Sequence, residues 1–144
     1  MRFWRISNYK DLSGYGGTLQ SSRWNHKGHR IVYLADHPST SLLETLVHIE
    51  AEDAPPSYQL LAIDGADSLK IGEAALPDNW QEDEKVTQDI GSNFIVEGAF
   101  ALLRIPSIVM PQASNYLLNP NHPDAASIRI VETWRYPFDS RLLA

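Results

Sequence analysis

Between residues 99 and 139 the chain presents short apolar stretches in quick succession: "AFALLRIP", "SIVMP", "NYLLNP" and "SIRIVETWRYPFD". Runs of this length, rich in Ile, Val, Leu and aromatic residues and ended by proline or asparagine, read as strands. In the last of them Ile128, Ile130, Trp134 and Tyr136 recur at period two, which places them on one face of an extended chain. The first half is ordered differently. "RFWRIS" alternates like a strand, residues 8–28 are too broken by Gly and Ser to be regular, and "RIVYLA" (30–35) is β-branched and aromatic. "HPSTSLLETLVHIEAE" then carries Leu42, Leu43, Leu46, Val47 and Ile49 at helical spacing, with Pro38 and Ser39 as start signals. "YQLLAID" (58–64) reads as a strand, and residues 82–97 as a weaker helix with Val86, Ile90, Phe94 and Ile95 inward. Helices between early strands, followed by strands in succession, predict an α+β fold: one compact domain over 1–144, with largely antiparallel sheets and flanking helices.

Composition narrows the function classes. At 144 residues and 43% hydrophobic content the chain can bury a core without disulfide or metal support. It has no cysteine, which removes thiolate nucleophiles and Cys-ligated zinc and fits a reducing compartment. The net charge of −6, with no Lys- or Arg-rich run, argues against direct nucleic-acid binding. No run is long and apolar enough for a membrane span, and "MRFWRISNYK" lacks the apolar middle of a secretory signal. The expected location is the cytoplasm.

Several candidate sites have simple structural alternatives. Ser41-Leu-Leu-Glu44 has capping-box spacing, so Glu44 either caps a helix start or stands as a carboxylate partly desolvated among Leu42, Leu43, Leu46 and Val47. Glu44 and His48 are four apart, and His26 and His29 three apart, but neither pair has a third ligand and no metal is expected. "GYGG" (14–17) lacks the spacing of a dinucleotide-binding loop and reads as a turn. "EAE" (50–52), at the polar end of a helix, resembles a paired-acid motif by accident. No GxSxG elbow is present. "LLRIPSIVMPQASNYLLNPNHPD" sets Ser107, Ser114, Asn115 and Asn119 among apolar residues, as either turns or a pocket wall.

Taken in order, "FWRIS", "SSRWNHKGHRIVYLA", "SLLETLVH", "LLRIPSIVMPQASNYLLNPNHPD" and "FDSRL" resemble the RES domain family of bacterial toxin–antitoxin pairs. The resemblance covers nearly the whole chain. It maps the family's arginine, glutamate and serine onto Arg23, Glu44 and Ser107, with Tyr33 as a further site residue and Ser114 as a second claimant for the serine. Where the family has glycines before its Arg-Trp pair, this chain has Ser21 and Ser22.

The resemblance implies a fold similar to ADP-ribosyltransferases and a toxin that cleaves the nicotinamide–ribose bond of NAD by hydrolysis or phosphorolysis. The alternatives are mono-ADP-ribosylation of a host protein and an inactive nucleotide- or antitoxin-binding module. It further implies NAD as substrate with no separate cofactor, a cognate Xre-like antitoxin that carries the DNA contacts, and room for a homodimer within the complex. In this reading Arg23 clamps the pyrophosphate and Arg5 is a second candidate for it. Tyr33 and Trp24 offer faces to the nicotinamide ring, and Asn25 and Asn115 contact its amide or the adenosine half. Glu44 steadies the oxocarbenium-like ribose, and Ser107 touches a ribose hydroxyl or holds Glu44.

Overall fold

The computed structural model describes residues 1–143. Seven strands form one sheet: β1 (Arg2–Ile6), β2 (Val32–Ala35), β3 (Ser57–Asp64), β4 (Ile71–Glu73), β5 (Leu102–Pro106), β6 (Ser114–Leu118) and β7 (Arg129–Pro137). Their order is β4-β5-β6-β2-β1-β3-β7. All pairings are antiparallel except β4 with β5. Three helices accompany the sheet: α1 (Gly16–Leu19), α2 (Pro38–Leu46) and α3 (Glu84–Glu97). The fold is therefore α+β with a largely antiparallel sheet, as the spacing of apolar runs predicts.

Pairing register assigns every strand residue to a face. On one face Phe3, Val32, Leu34, Leu61, Ile63, Leu102, Tyr116 and Leu118 build an apolar core with Ile128. The fully buried Leu and Ile side chains there each contribute roughly 1.5–3 kcal/mol by leaving water. On the other face Leu103, Ile105 and Leu117 pack with Trp24, Trp80 and Phe94, the last from α3.

Three sequence expectations change here. Ile130 lies opposite Ile63, whereas Trp134 lies opposite Leu60, because the register shifts between Ala62 and Ile63 and leaves Val131 as the extra residue of a bulge. One bulge reverses the parity of everything beyond it, so Ile128 and Ile130 do not share a face with Trp134 and Tyr136. Trp134 instead stacks on Trp4, 6.0 Å between centroids. Second, "SIVMP" is the loop of the β5–β6 hairpin, where Ser107 N–H donates to the Ala113 carbonyl and Ala113 N–H to the Met110 carbonyl. Third, the helix expected through residue 52 ends at Leu46, and Val47, His48 and Ile49 turn to border a cleft.

Candidate functional site

Strands β1 and β2 meet at a single register position, Trp4 opposite Ala35. Past it a cleft of about 880 Å³ is lined by Arg5 and Ile6 of β1 and by Tyr33, Leu34 and Ala35 of β2. The rest of its lining includes residues 20–24, Ser41, Glu44 and His48 of the α2 segment, Glu84, Ile105 and Asn115. The Tyr33 carbonyl accepts a bond from Arg5 Nη1 at 3.0 Å, so a guanidinium spans the gap between the two strands. Burial of that cation with little neighbouring negative charge pushes its pKa down, the weak opposing influence being Asp11.

Glu44 comes from the middle of α2. His37 is the N-cap, its ring accepting from Ser39 N–H, and Pro38 occupies the first turn. The helix thus starts three residues before Ser41, and the capping-box alternative for Glu44 is overturned. Glu44 Oε1 instead accepts from Ser107 Oγ at 2.5 Å and from Asn115 Nδ2 at 2.9 Å. Ser107 is fully buried and its Oγ also accepts from Met110 N–H at 3.1 Å. Asp36 ties the start of α2 to β6, accepting from Thr40 Oγ1 and from Ser114 N–H. Hydrogen bonds to a charged acceptor contribute about 1.5–3 kcal/mol each, enough to hold one carboxylate rotamer.

The Arg23 loop forms the facing wall. Ser22 and Asn25 form an isolated bridge, Ser22 N–H donating to the Asn25 carbonyl at 3.0 Å. Among the described residues Asn79 is the non-glycine with positive φ, so Ser21 and Ser22 hold ordinary backbone and need no glycine. Gly14 does need to be glycine: its φ is +69°, and a Cβ there would meet Ile31 N at 2.5 Å. Of "GYGG", Gly14 and Tyr15 turn against the entry to β2, whereas Gly16 and Gly17 open α1, a single helical turn in a stretch expected to be irregular.

Helix α3 braces this loop, an arrangement the sequence reading missed. Thr87 Oγ1 donates to the Arg23 carbonyl at 2.5 Å, and Gln88 Nε2 to the Ser22 carbonyl. His26 N–H donates to Ser92 Oγ, and its ring meets Asp89 at 2.7 Å. Gly91 lets the helix backbone approach closely, since a Cβ there would lie 1.6 Å from the Trp24 carbonyl oxygen. The available signal was a run of small residues, Gly91 and Ser92 beside Thr87, inside a helix where glycine costs about 1 kcal/mol against alanine.

The structure brings Arg5, Arg23, Trp24, Tyr33, Glu44 and Asn115 to one cleft. It gives several of them tasks other than those expected. Asn25 is 1% exposed and absent from the lining; its Oδ1 accepts from Tyr33 OH at 2.5 Å and its Nδ2 donates to the Gln20 and His26 carbonyls. A buried amide with all these partners has no free group for a ligand, which corrects its assignment as a contact. Asn115 Nδ2 is committed to Glu44. Trp24 is 3% exposed with its ring against Trp80, so it is a core residue and not an open stacking face. Burial likewise pushes the Tyr33 phenol up, well above its ordinary value. Ser107 lies behind Glu44, and Ser114 donates only its backbone N–H to Asp36.

Arg23 itself borders the cleft, with Nη2 donating to the carbonyls of Gln81 at 2.6 Å and Trp80 at 3.4 Å. Among the described residues, the buried side-chain nitrogens or oxygens without a partner are Arg5 Nε and Arg23 Nε. An unpartnered buried donor is costly and needs a physical reason.

Comparison with known proteins adds a family to this geometry. The chain is 41% identical to "Toxin Res" of Pseudomonas putida over 145 residues, covering 99% of each protein. It is 34% identical to the "Prs ADP-ribosylating toxin" of Sphingobium sp., covering 98% of this chain and 96% of that protein. The toxin–antitoxin complex MbcT–MbcA of M. tuberculosis contains a chain of the same fold, with a TM-score of 0.73 at 16% identity over 99% of this chain and 86% of that one. The sequence model of the RES domain matches residues 2–139, and the chain belongs to the RES domain family.

Proposed function

We propose that this chain is the toxin of a toxin–antitoxin system and that it breaks the nicotinamide–ribose bond of NAD in the cleft between β1 and β2. The observation that carries the reading is the pair of guanidinium side chains, Arg5 and Arg23, on the lining of the cleft that also holds Glu44. Two cationic side chains on one cleft suit a pyrophosphate, which offers oxygens to each. A volume of about 880 Å³ also suits a molecule the size of a dinucleotide segment.

Glu44 supplies the complementary charge. Nicotinamide leaves NAD as a neutral molecule while positive charge moves onto the ribose, so departure needs no general acid. One carboxylate then serves where glycosidases use two. With Oε1 held by Ser107 and Asn115, Oε2 is left for the developing cation or for the hydroxyl of the acceptor. At about 4 Å and an effective dielectric near 20, that attraction reaches roughly 4 kcal/mol, or about a thousandfold in rate. Loss of NAD would arrest growth, so the host needs an antitoxin to cover the cleft; the complex formed by the M. tuberculosis neighbour supports such a partner. An Xre-like antitoxin would carry the DNA contacts that this acidic chain lacks.

A second reading, transfer of ADP-ribose to a specific protein, is favoured by the name of the Sphingobium relative. Both readings break the same bond. Incubation of purified protein with adenine-labelled NAD separates them: free ADP-ribose or its phosphate marks degradation, and label on a polypeptide marks transfer. Arg23→Ala should lower kcat/KM for nicotinamide release by about a hundredfold, the loss of one or two charge-assisted bonds. Absence of nicotinamide release by folded wild-type chain, alone and with candidate acceptors, would overturn both and leave a binding module.

A further inference from the structure

Arg23 has five N–H donors, and the protein uses them unevenly. Nη2 meets the Trp80 and Gln81 carbonyls, whereas Nε is buried and unmatched. These two carbonyls belong to a short 3-10 turn (Trp80–Glu82) that runs directly into α3 through Asp83, whose side chain accepts from Val86 N–H. One turn into that helix, Thr87 reaches the Arg23 backbone. Its hydroxyl is fully buried and lies 2.5 Å from the Arg23 carbonyl oxygen, nearer than the Glu84 carbonyl at 2.9 Å. A further turn on, Gly91 removes the side chain that would strike the Trp24 carbonyl.

We infer that Thr87 is a positioning residue for NAD binding: it fixes the Arg23 main chain on α3 so that the preceding 3-10 turn can hold the guanidinium on the lining of the cleft for the pyrophosphate. The segment from Trp80 to Gly91 grips the arginine at both ends, main chain and side-chain tip, and Thr87 itself lies outside the cleft. Without the Thr87 bond the loop retains the Gln88 and Ser92 contacts, which are made to its neighbours Ser22 and His26 and not to Arg23. The guanidinium then samples orientations that turn away from the cleft. A full ångström of misplacement can cost about a hundredfold, and a single lost tether should cost roughly tenfold.

The inference rests on the NAD-cleaving reading of the cleft. Its test is the steady-state kinetics of nicotinamide release by wild-type, Thr87→Val and Thr87→Ser chains, each also made with Arg23→Ala. Thr87→Val should raise KM for NAD about tenfold with kcat within about threefold, and Thr87→Ser, which keeps the hydroxyl, should restore KM. In the Arg23→Ala background Thr87→Val should change KM less than twofold, because a bond that acts through Arg23 has nothing left to position. A Thr87→Val chain that folds and keeps its KM, or that raises KM equally with Ala at position 23, overturns the inference while wild-type turnover leaves the NAD reading intact. If Thr87→Val does not fold, the smaller Thr87→Ala, which also lacks the hydroxyl, carries the test. A rise in KM that vanishes with Arg23→Ala supports the brace, and an unchanged KM overturns it. No turnover by the wild-type chain would instead refute the NAD reading itself.

Discussion

The two walls of the cleft are held by different means. Glu44 is fixed by neutral side chains, Ser107 and Asn115, delivered by a β-hairpin and aimed at one carboxylate oxygen. The Arg23 loop is fixed mainly through its backbone, with Thr87 and Gln88 donating to its carbonyls and Gly91 admitting close contact. A carboxylate has a few lone pairs that must be oriented, and two donors on Oε1 do this while Oε2 stays free. A loop needs its path set, and only bonds to the main chain do that irrespective of the side chains it carries. The acid is therefore sensitive to the chemistry of its neighbours, and the arginine to the shape of the helix behind it.

The largest break should come on the acidic wall. Glu44→Gln preserves size and leaves an oxygen for Ser107 and Asn115 but removes the charge. Nicotinamide release should fall by up to about a thousandfold while the thermal midpoint moves by only a few degrees. A residual rate above one tenth of wild type would show that the carboxylate does little beyond packing.

On the opposite wall Gly91→Ala should act through structure. Its Cβ must displace either α3 or the Trp24 carbonyl, and overpacking of this kind costs roughly 1–3 kcal/mol, read as a lower urea midpoint. Turnover per folded molecule should drop with it, since the same shift moves Arg23. An unchanged midpoint would mean that the loop and helix are not in firm contact.

The smallest effect belongs to Asp89, which is half-buried and held below the usual carboxylate range, first by the His26 hydrogen bond and then by Lys85. A folded-state pKa below the unfolded value stabilises above the unfolded value, near pH 4, and that contribution fades as pH falls through the depressed pKa. The thermal midpoints of wild-type and Asp89→Asn chains should accordingly differ at pH 6 and converge toward pH 3. Constant separation across that range would remove the His26 tether from the brace.

The same contrast separates what was legible in the sequence from what was not. Pro38 and the leucine spacing announce α2, and the order of motifs announces the family, because these signals are carried by local runs of sequence. The tasks of Asn25 and Asn115 were not legible: an amide reads the same whether it meets a ligand or a neighbouring side chain, and only burial tells them apart. The brace was invisible for a related reason, since Thr87 and Gly91 take their meaning from residues more than sixty positions away. Val131 misled the period-two reading, because a one-residue bulge inverts the parity of half a strand and leaves no compositional trace.

Finally, the opening between β1 and β2 is made by withholding pairing beyond Trp4 and Ala35, while each strand remains fully laced to its other neighbour, β3 and β6. An aperture of this kind has its width dictated by the body of the sheet and not by a hinged flap. A guest would arrive at a slot already cut to size, and loops at its rim are free to lengthen or change partners without altering the gauge of the slot itself.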